Sequence, residues 1–210
     1  MRIRITFSKQ GALRYTGHLD LHKILERSIR RAKLPLTYSQ GFHPQPKLNL
    51  AAALPLGFSS RAEVMDIWLN EAVEDISARL QEHVPPGLTI LEAMPVDERA
   101  PSLQSQVVAA EYQVEITEAS YASGLTEKIA SVMESESIPR VRRKKQYDLR
   151  PLIEELSLTS KPSSTGRREI LSMCLTAREG ATGRPEEVLA ELGIPLEATR
   201  IERTRLIFAG

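Results

Sequence analysis

The residues best suited to bind an anion lie between positions 18 and 47. Here a helical pattern carries cations on one side, at Lys23, Arg27, Arg30 and Arg31. Guanidinium groups bind phosphates through two parallel N–H donors, so this pattern favours a nucleic-acid partner. Glu26 lies four residues before Arg30 and can pair with it, whereas we expect the other cations to lack an acidic partner in the helix. A solvated helix face is the alternative interpretation.

A turn at residues 39–47, with the sequence SQGFHPQPK, follows this helix. Its two prolines restrict the backbone. It offers the hydroxyl of Ser39, the aromatic ring of Phe42 and a glycine, Gly41, that tolerates positive φ. His43 and Lys47 can contact a phosphate. Phe42 can stack on a base. It can equally cap the core, with His43 satisfying local backbone groups, and both interpretations stay open here.

Three histidines fall in the same region, His18 and His22 at helical spacing and His43 in the turn. They are candidates for the general acid or base of a metal-independent ribonuclease. They are also a conceivable metal set. There is no HExxH motif and no supporting carboxylate pattern, so we expect no metal site.

A second basic group lies near residue 145, and Tyr147 beside it can stack on a base. Its members are Arg140, Arg142, Arg143, Lys144, Lys145 and Arg150. Cations on a strand or hairpin tip can contact phosphates, as can Arg14 near the N-terminus. Lysines also protect exposed edge strands against aggregation, which is the alternative.

The charges are segregated along the 210 residues although the net charge is only +1. Residues 1–50 hold ten Lys/Arg against two Asp/Glu, residues 51–137 hold four against fifteen, and residues 138–210 hold fourteen against ten. Such segregation favours an anionic partner at a basic face.

Several function classes find no support in the sequence. Nucleotide-binding glycine motifs, GxSxG and CxxC are missing. The single Cys174 excludes an internal disulfide or a cysteine-ligated cluster, and we expect it to be a small buried apolar residue. No apolar run approaches the roughly 18 residues of a membrane span, and the N-terminus lacks a signal-peptide pattern. We therefore expect a cytoplasmic protein with no membrane partner.

The elements that position these residues follow the order βαββαβ. Residues 2–7 alternate as a strand, and a helical stripe starts at Leu21 and stops before Pro35. Strands are predicted at 48–54, 63–69 and 88–93, with a helix at 73–83. A polar segment containing two prolines follows as a linker.

The same order repeats after the linker. Strands are predicted at 111–117, within 140–158 and 169–177, and at 201–208, with helices at 122–134 and 185–192 and a hairpin at 160–168. The sequence therefore predicts an α+β fold of two tandem ferredoxin-like units. The predicted boundaries are 1–95 for the first unit, 96–108 for the linker and 109–210 for the second.

Three stretches carry a family resemblance: FSKQGALRYTGHLDL, then ERSIRRA with LPL and YSQGFHP, then ALPLG. With KQYDLRP at residues 145–151, they resemble the radical SAM-linked protein family, bacterial proteins found alone or fused after a radical SAM protein. The resemblance spans essentially the whole chain and implies partnership with a radical SAM enzyme acting on RNA or translation components. This chain lacks CxxxCxxC, so any radical chemistry belongs to the partner, and we expect no cofactor here.

A fold-level similarity to tandem ferredoxin-like endoribonucleases of CRISPR repeat RNA is weaker, because their glycine-rich C-terminal loop is missing. Our leading hypothesis is a non-catalytic RNA-binding accessory protein. The alternatives are a metal-independent endoribonuclease using His18, His22 or His43, and a protein-only adaptor that docks the radical SAM enzyme.

Overall fold

The computed structural model describes residues 1–142, 144–163 and 166–209. They form two compact units, Met1–Val107 and Val108–Gly210. Each unit combines short helices with mostly antiparallel strands. The α+β class predicted from the sequence is therefore confirmed.

The first unit has four strands, three α-helices and a 3-10 helix at Gly11–Tyr15. In chain order they are β1 (Arg2–Lys9), α1 (His18–Arg31), β2 (Leu48–Leu50), β3 (Ser59–Trp68), α2 (Ile76–Gln81), β4 (Leu88–Val96) and α3 (Leu103–Gln106). Strand β1 pairs antiparallel with both β3 and β4, and β2 pairs antiparallel with β3. The strand order in this unit is therefore β4-β1-β3-β2.

Helix α1 packs on the core through a stripe at i, i+4, i+7 and i+8, formed by Leu21, Leu25, Ser28 and Ile29. This spacing places the four side chains on one side of a helix with 3.6 residues per turn. They join a core that includes the alternate residues Ile3, Ile5 and Phe7 of β1. The stripe and the strand alternation predicted from the sequence are confirmed, and the remaining faces of α1 are left for charged residues.

Helix boundaries differ from the predictions because of local backbone geometry. Helix α1 begins at His18, directly after Gly17, so that the stripe starting at Leu21 lies within it. It ends before Lys33, which is left-handed with φ 54°. Helix α2 is shorter than predicted because Asp75, also left-handed, precedes its first residue. The predicted linker contains the end of β4, all of α3 and the first residues of the next strand. Leu103, fully buried, explains why that polar segment is ordered as a helix.

A buried ionic network joins β1 to β3. Asp66 is fully buried and accepts hydrogen bonds from Arg2 Nε and Nη2 at 2.8 and 2.6 Å, and from Arg4 Nε at 2.9 Å. Arg2 also donates to the carbonyl oxygens of Ala100 and Pro101, and its guanidinium lies 5.2 Å from the Trp68 ring centroid. A buried carboxylate is tolerated only when it is paired and hydrogen-bonded in this way.

Within its described residues, the second unit has seven strands, two α-helices and three 3-10 helices at Ala119–Ala122, Arg150–Leu152 and Leu196–Ala198. The strands and α-helices are β5 (Val107–Ile116), α4 (Leu125–Glu134), β6 (Pro139–Arg142), β7 (Lys145–Asp148), β8 (Ile153–Ser163), β9 (Gly166–Arg178), β10 (Ala181–Thr182), α5 (Pro185–Leu192) and β11 (Thr199–Phe208). Strand β9 lies between β5 and β8, and β11 neighbours β5. The order is therefore β11-β5-β9-β8.

Most second-unit elements lie within a few residues of their predicted positions. The exceptions are the separate β6–β7 hairpin, which we had not separated from the following strand, and the short strand β10 beside β9. The tip of the hairpin predicted at 160–168, residues 164 and 165, lies outside the described residues. Helix α5 begins with Pro185 and ends before the left-handed Gly193, as its sequence predicts.

Replacing Asp66 by alanine tests the role of the buried network. We expect Asp66→Ala to lower the free energy of unfolding of the first unit by about 3–5 kcal/mol, because Arg2 stays buried without its carboxylate. Urea unfolding followed by the emission of Trp68, the single tryptophan, measures it. Glu92→Ala removes an exposed carboxylate from β4 and should change the same free energy by less than about 0.5 kcal/mol. Equal effects of the two substitutions would contradict the proposed role of Asp66.

Candidate nucleic-acid interface

Two arginines of helix α1, Arg27 and Arg31, present exposed guanidinium groups at the surface. Within the part of the chain that the structure describes, neither guanidinium makes a hydrogen bond or ion pair. Arg30 is exposed too, and its Nη1 lies 3.3 Å from Glu26 Oε1, the predicted pair. Surface pairs of this kind contribute at most about 0.5 kcal/mol and are easily exchanged for another anion.

One cation of this face has an acidic neighbour that we did not expect. Lys23 Nζ lies 3.8 Å from Asp20 Oδ1, three residues earlier. Both side chains are mostly exposed, so the pair is weak. Asp20 lies in the first turn of α1, and Arg30 and Arg31 in the last, so all three complement the helix dipole.

The turn at residues 39–47 is a closed hairpin-like loop. Ser39 N donates to Gln45 O at 2.8 Å, and Gln45 N donates to Ser39 Oγ at 3.0 Å. Lys47 N donates to Thr37 O at 2.8 Å, and Tyr38 and Pro46 form an isolated bridge. The side chains of Phe42, His43 and Lys47 are exposed at and beside its tip. Phe42 is 102% exposed, so the interpretation that it caps the core is wrong.

Thr37, two residues before this turn, and Lys47, its last residue, are both hydrogen-bonded to the last residue of β3. Thr37 N donates to Trp68 O at 2.7 Å, and Trp68 N donates to Lys47 O at 3.2 Å. His22 Nε2 lies 3.3 Å from Leu48 O, and since a carbonyl only accepts, the imidazole donates. Helix α1 and the residue after the turn are therefore connected directly. His22 acts there as a structural donor.

The other histidines are at the surface. His18, which has a polar interaction, and His43 are both exposed. Across the described ranges, no three His, Cys, Asp or Glu side chains lie close enough together to hold a metal ion. Among the described residues, no carboxylate forms a hydrogen bond with His43 that would orient it as a general base.

Arg14 lies on an exposed tyrosine beside helix α1. Its guanidinium is 4.7 Å from the Tyr15 ring centroid, and its Nη2 is 2.6 Å from Tyr15 Oη. Gly57 N donates to Arg14 O at 2.8 Å, which brings the loop containing exposed Leu56 next to this 3-10 helix. Exposed Tyr15, Leu19 and Leu56 were missed by the sequence reasoning. Leu19 lies outside the apolar stripe that starts at Leu21, and this position could have identified Leu19 as an exposed apolar residue.

Two arginines of the second basic group are neutralised within their unit. Arg142 Nε and Nη2 donate to Glu187 at 3.0 and 2.5 Å, and its guanidinium lies over the Tyr147 ring at 4.7 Å. Arg140 pairs with Glu191 on the same helix, α5. Burial alone would lower the pKa of Arg142, but the hydrogen bond and charge of Glu187 raise it. Tyr147 is half-buried beside this pair. Its burial is the largest cause of a raised pKa, and the hydrogen bond and charge of Glu187 raise this pKa further.

The remaining members of that group divide between structural and exposed positions. Arg150 donates to Met133 O through Nε and Nη2 at 3.2 and 2.8 Å, and to Ile153 O through Nη1 at 2.9 Å. It thereby satisfies a carbonyl near the end of α4. Lys144 and Lys145 are exposed near the tip of the β6–β7 hairpin, with no partner among the described residues. Arg143 lies outside the described residues.

Cys174 does not have the buried apolar environment that its sequence predicted. It is half-buried on the polar face of β9, opposite Met173 and Leu175, and its thiol lies 3.5 Å from Glu154 Oε2. Glu111 and Ser172 line the same shallow depression. Burial raises the pKa of the Cys174 thiol to about 11, helped by Glu154, Glu111 and Glu155. A thiol held neutral at pH 7 is a poor nucleophile.

The fold and this site define a class of protein: a mixed α+β chain with antiparallel strands and an exposed basic helix. A family model described as "Uncharacterized protein conserved in bacteria (DUF2344)" matches residues 2–185. The chain belongs to this family. No curated protein matches the chain significantly. No helix in the described ranges is long and apolar enough to cross a membrane.

Two solved structures are similar to this chain. One is a chain of "Crystal Structure of a Cbf5-Nop10-Gar1 Complex", 12% identical with a TM-score of 0.50, covering 97% of this chain. The present chain spans 48% of that chain. The other is "Crystal structure of putative glycine cleavage system transcriptional repressor", which is 11% identical with a TM-score of 0.27. The match covers 99% of the present chain and 98% of the chain in that structure. At these identities the first likeness concerns the fold alone.

Alkylation of Cys174 tests its environment. Because the thiol pKa is about 11, the folded protein at pH 8 should react with iodoacetamide about a hundredfold more slowly than the unfolded chain. The rate should keep rising with pH beyond 9, since only the thiolate reacts. Glu154→Gln removes the nearest acceptor charge and should accelerate alkylation, whereas Glu179→Gln, at an exposed turn, should not. A folded-state rate that levels off near pH 9 would contradict the raised pKa.

Proposed function

We propose that this chain is a non-catalytic RNA-binding accessory protein of the cytoplasm that works with a radical SAM enzyme in RNA modification or translation-related processing. The observation that supports the RNA-binding part is the pair of exposed guanidinium groups of Arg27 and Arg31 on helix α1, which have no partner among the described residues. The radical SAM partner rests on the sequence resemblance alone. In this proposal the chain needs no cofactor of its own.

The basic face of α1 is supported by what surrounds it in the sequence. No Asp or Glu occurs from residue 27 to residue 62, a stretch that also carries Arg30, Lys33, Lys47 and Arg61. This stretch therefore presents cations to a polyanion and contributes no acidic side chain of its own, which favours phosphate contacts. Lys23 and Arg30 can exchange their weak surface pairs for phosphates.

The second basic group has a smaller part in phosphate binding in this proposal than its sequence alone indicates. Lys144 and Lys145 stay available at the β6–β7 hairpin, but Arg140 and Arg142 would have to leave Glu191 and Glu187 first. Arg150 would have to give up three main-chain hydrogen bonds, an exchange that unpaired carbonyls make unfavourable. We therefore assign phosphate binding mainly to α1.

We also propose that each unit is ferredoxin-like. In the first unit the order β4-β1-β3-β2 places the last strand beside the first and the third beside the second. In the second unit β11-β5-β9-β8 repeats that order, with the β6–β7 hairpin and β10 as additions. Both orders fit two split βαβ elements, which supports the tandem arrangement expected from the sequence.

Salt-dependent RNA binding tests the proposal. Fluorescence anisotropy of a labelled, unstructured RNA should give a dissociation constant that rises steeply with salt, since each neutralised phosphate of a single strand adds about 0.7 to the log–log slope. Arg27→Ala/Arg31→Ala should reduce that slope by about 1.4. Arg99→Ala removes an exposed arginine outside α1 and should leave the slope nearly unchanged.

A flat salt response, or equal effects of the α1 and Arg99 variants, would contradict this function. The same samples separate the alternatives. RNA cleavage that His18→Ala or His43→Ala abolishes while binding persists would establish the endoribonuclease instead. Co-purification of a radical SAM enzyme that survives nuclease treatment, without any RNA binding, would establish the protein-only adaptor.

A further inference from the structure

The most exposed large apolar side chain of the described residues belongs to Phe42, at the tip of the turn at 39–47. Its neighbours Gly41, His43, Pro44 and Gln45 are exposed as well. Among the described residues, none makes a ring contact or cation–π contact with Phe42, which leaves both faces of its ring open to them. An isolated, fully exposed phenylalanine gains nothing from folding, because burial is the source of hydrophobic stabilisation. Its position leaves the whole ring available for contact with a ligand.

The turn holds Phe42 in place without contacting its side chain. Two hydrogen bonds between Ser39 and Gln45 close the turn, and Trp68 of β3 bonds to the chain on either side of these two residues. The backbone of Gly41 has φ +132°, a conformation that favours glycine, although an added Cβ would meet nothing within 4 Å. A rigid loop pays little ordering entropy when its exposed ring meets a partner.

The chemistry around Phe42 fits a nucleobase better than an apolar protein pocket. The exposed ammonium group of Lys47 has no partner among the described residues, and His43 adjoins Phe42. The nearest acidic residues along the chain are Glu26 and Glu63. A single flat ring beside cations matches a base attached to a phosphate backbone. Apolar protein docking instead uses contiguous apolar patches, whereas Phe42 is the one large apolar side chain that residues 39–47 expose.

We propose that the turn at 39–47 binds an unpaired base of RNA, which stacks on the Phe42 ring while Lys47 contacts the adjoining phosphate. This inference rests on the proposed RNA-binding function and narrows its substrate class to RNA with a single-stranded segment. In a continuous duplex both faces of each base are covered by its neighbours. A protruding ring can therefore stack on a splayed base but not on a paired one.

Three substitutions at Phe42 separate stacking from simple apolar contact. Binding is measured by anisotropy against an unstructured RNA of about 15 nucleotides and a blunt duplex of the same length. Phe42→Ala should weaken single-strand binding about tenfold, the loss typical of one base stack, and leave duplex binding unchanged. Phe42→Leu keeps an apolar side chain without a π-face and should lose about as much. Phe42→Trp should bind at least as tightly as the wild type.

Two further variants test whether the geometry of the turn matters. Gly41→Ala should weaken single-strand binding with Phe42 intact, since the strained backbone displaces the ring. In Phe42→Trp, RNA should quench the new indole emission by stacking. Trp68 is the only other tryptophan and lies beside Arg2, so Trp68 emission in the remaining variants reports whether the first unit is folded.

The outcomes distinguish this inference from the proposed function. If Phe42→Ala loses nothing, if Phe42→Leu binds like the wild type, or if duplex binding falls equally, base stacking on Phe42 is refuted while salt-dependent binding through α1 still stands. If the wild-type protein binds neither RNA, the proposed function and this inference fail together.

Discussion

The buried carboxylate of Asp66 is the interaction on which the geometry of the first unit depends. It accepts hydrogen bonds from Arg2 and Arg4, across the pairing of β1 with β3. Arg2 also lies over Trp68, and the main chain of Trp68 is hydrogen-bonded to residues on both sides of Phe42. An unbroken series of contacts thus runs from the core to the exposed turn. Removing one partner of this network would leave the other charge buried and unpaired, which is strongly destabilising.

The same network divides the basic residues of the first unit into structural and available groups. Arg2 and Arg4 form ion pairs with Asp66, and the buried Lys9 donates a hydrogen bond from its ammonium group to Thr16 O. The charge excess of the first 50 residues therefore overstates what an anion can reach. The cations that remain at the surface are concentrated on α1, whose apolar stripe fixes which of them face outward. The position of the stripe thus decides the position of the proposed binding face.

Local patterns in the sequence predicted much of this arrangement. The alternation of β1, the stripe of α1 and the proline and glycine that bound α5 each produced the expected element, because these signals depend only on near neighbours along the chain. Helix α3 was missed since one buried residue, Leu103, orders an otherwise polar segment. Lys33 and Asp75 have left-handed backbones, and this conformation places the helix ends elsewhere than predicted. The types of these two residues do not predict a positive φ.

Contacts between distant residues were beyond the reach of such reasoning. The pairing of Arg142 with Glu187 and of Arg140 with Glu191 joins residues more than 40 positions apart, so a run of cations looked more available than it is. The acidic surroundings of Cys174 likewise come from β5 and β8, not from its own strand. The exposure of Phe42, by contrast, resolved an ambiguity that the sequence left open, because only tertiary structure shows which loop residues reach the core.

Crosslinking in cells, followed by sequencing of the bound RNA, tests the central claim most directly. The comparison is between the wild-type protein and an Arg27→Glu/Arg30→Glu/Arg31→Glu variant, with Arg99→Glu as the matched control on another surface segment. The account predicts a discrete set of RNAs that crosslink to the wild type and to the control and are lost in the α1 variant. Recovery of no RNA above background, or the same RNAs with all three proteins, would contradict it.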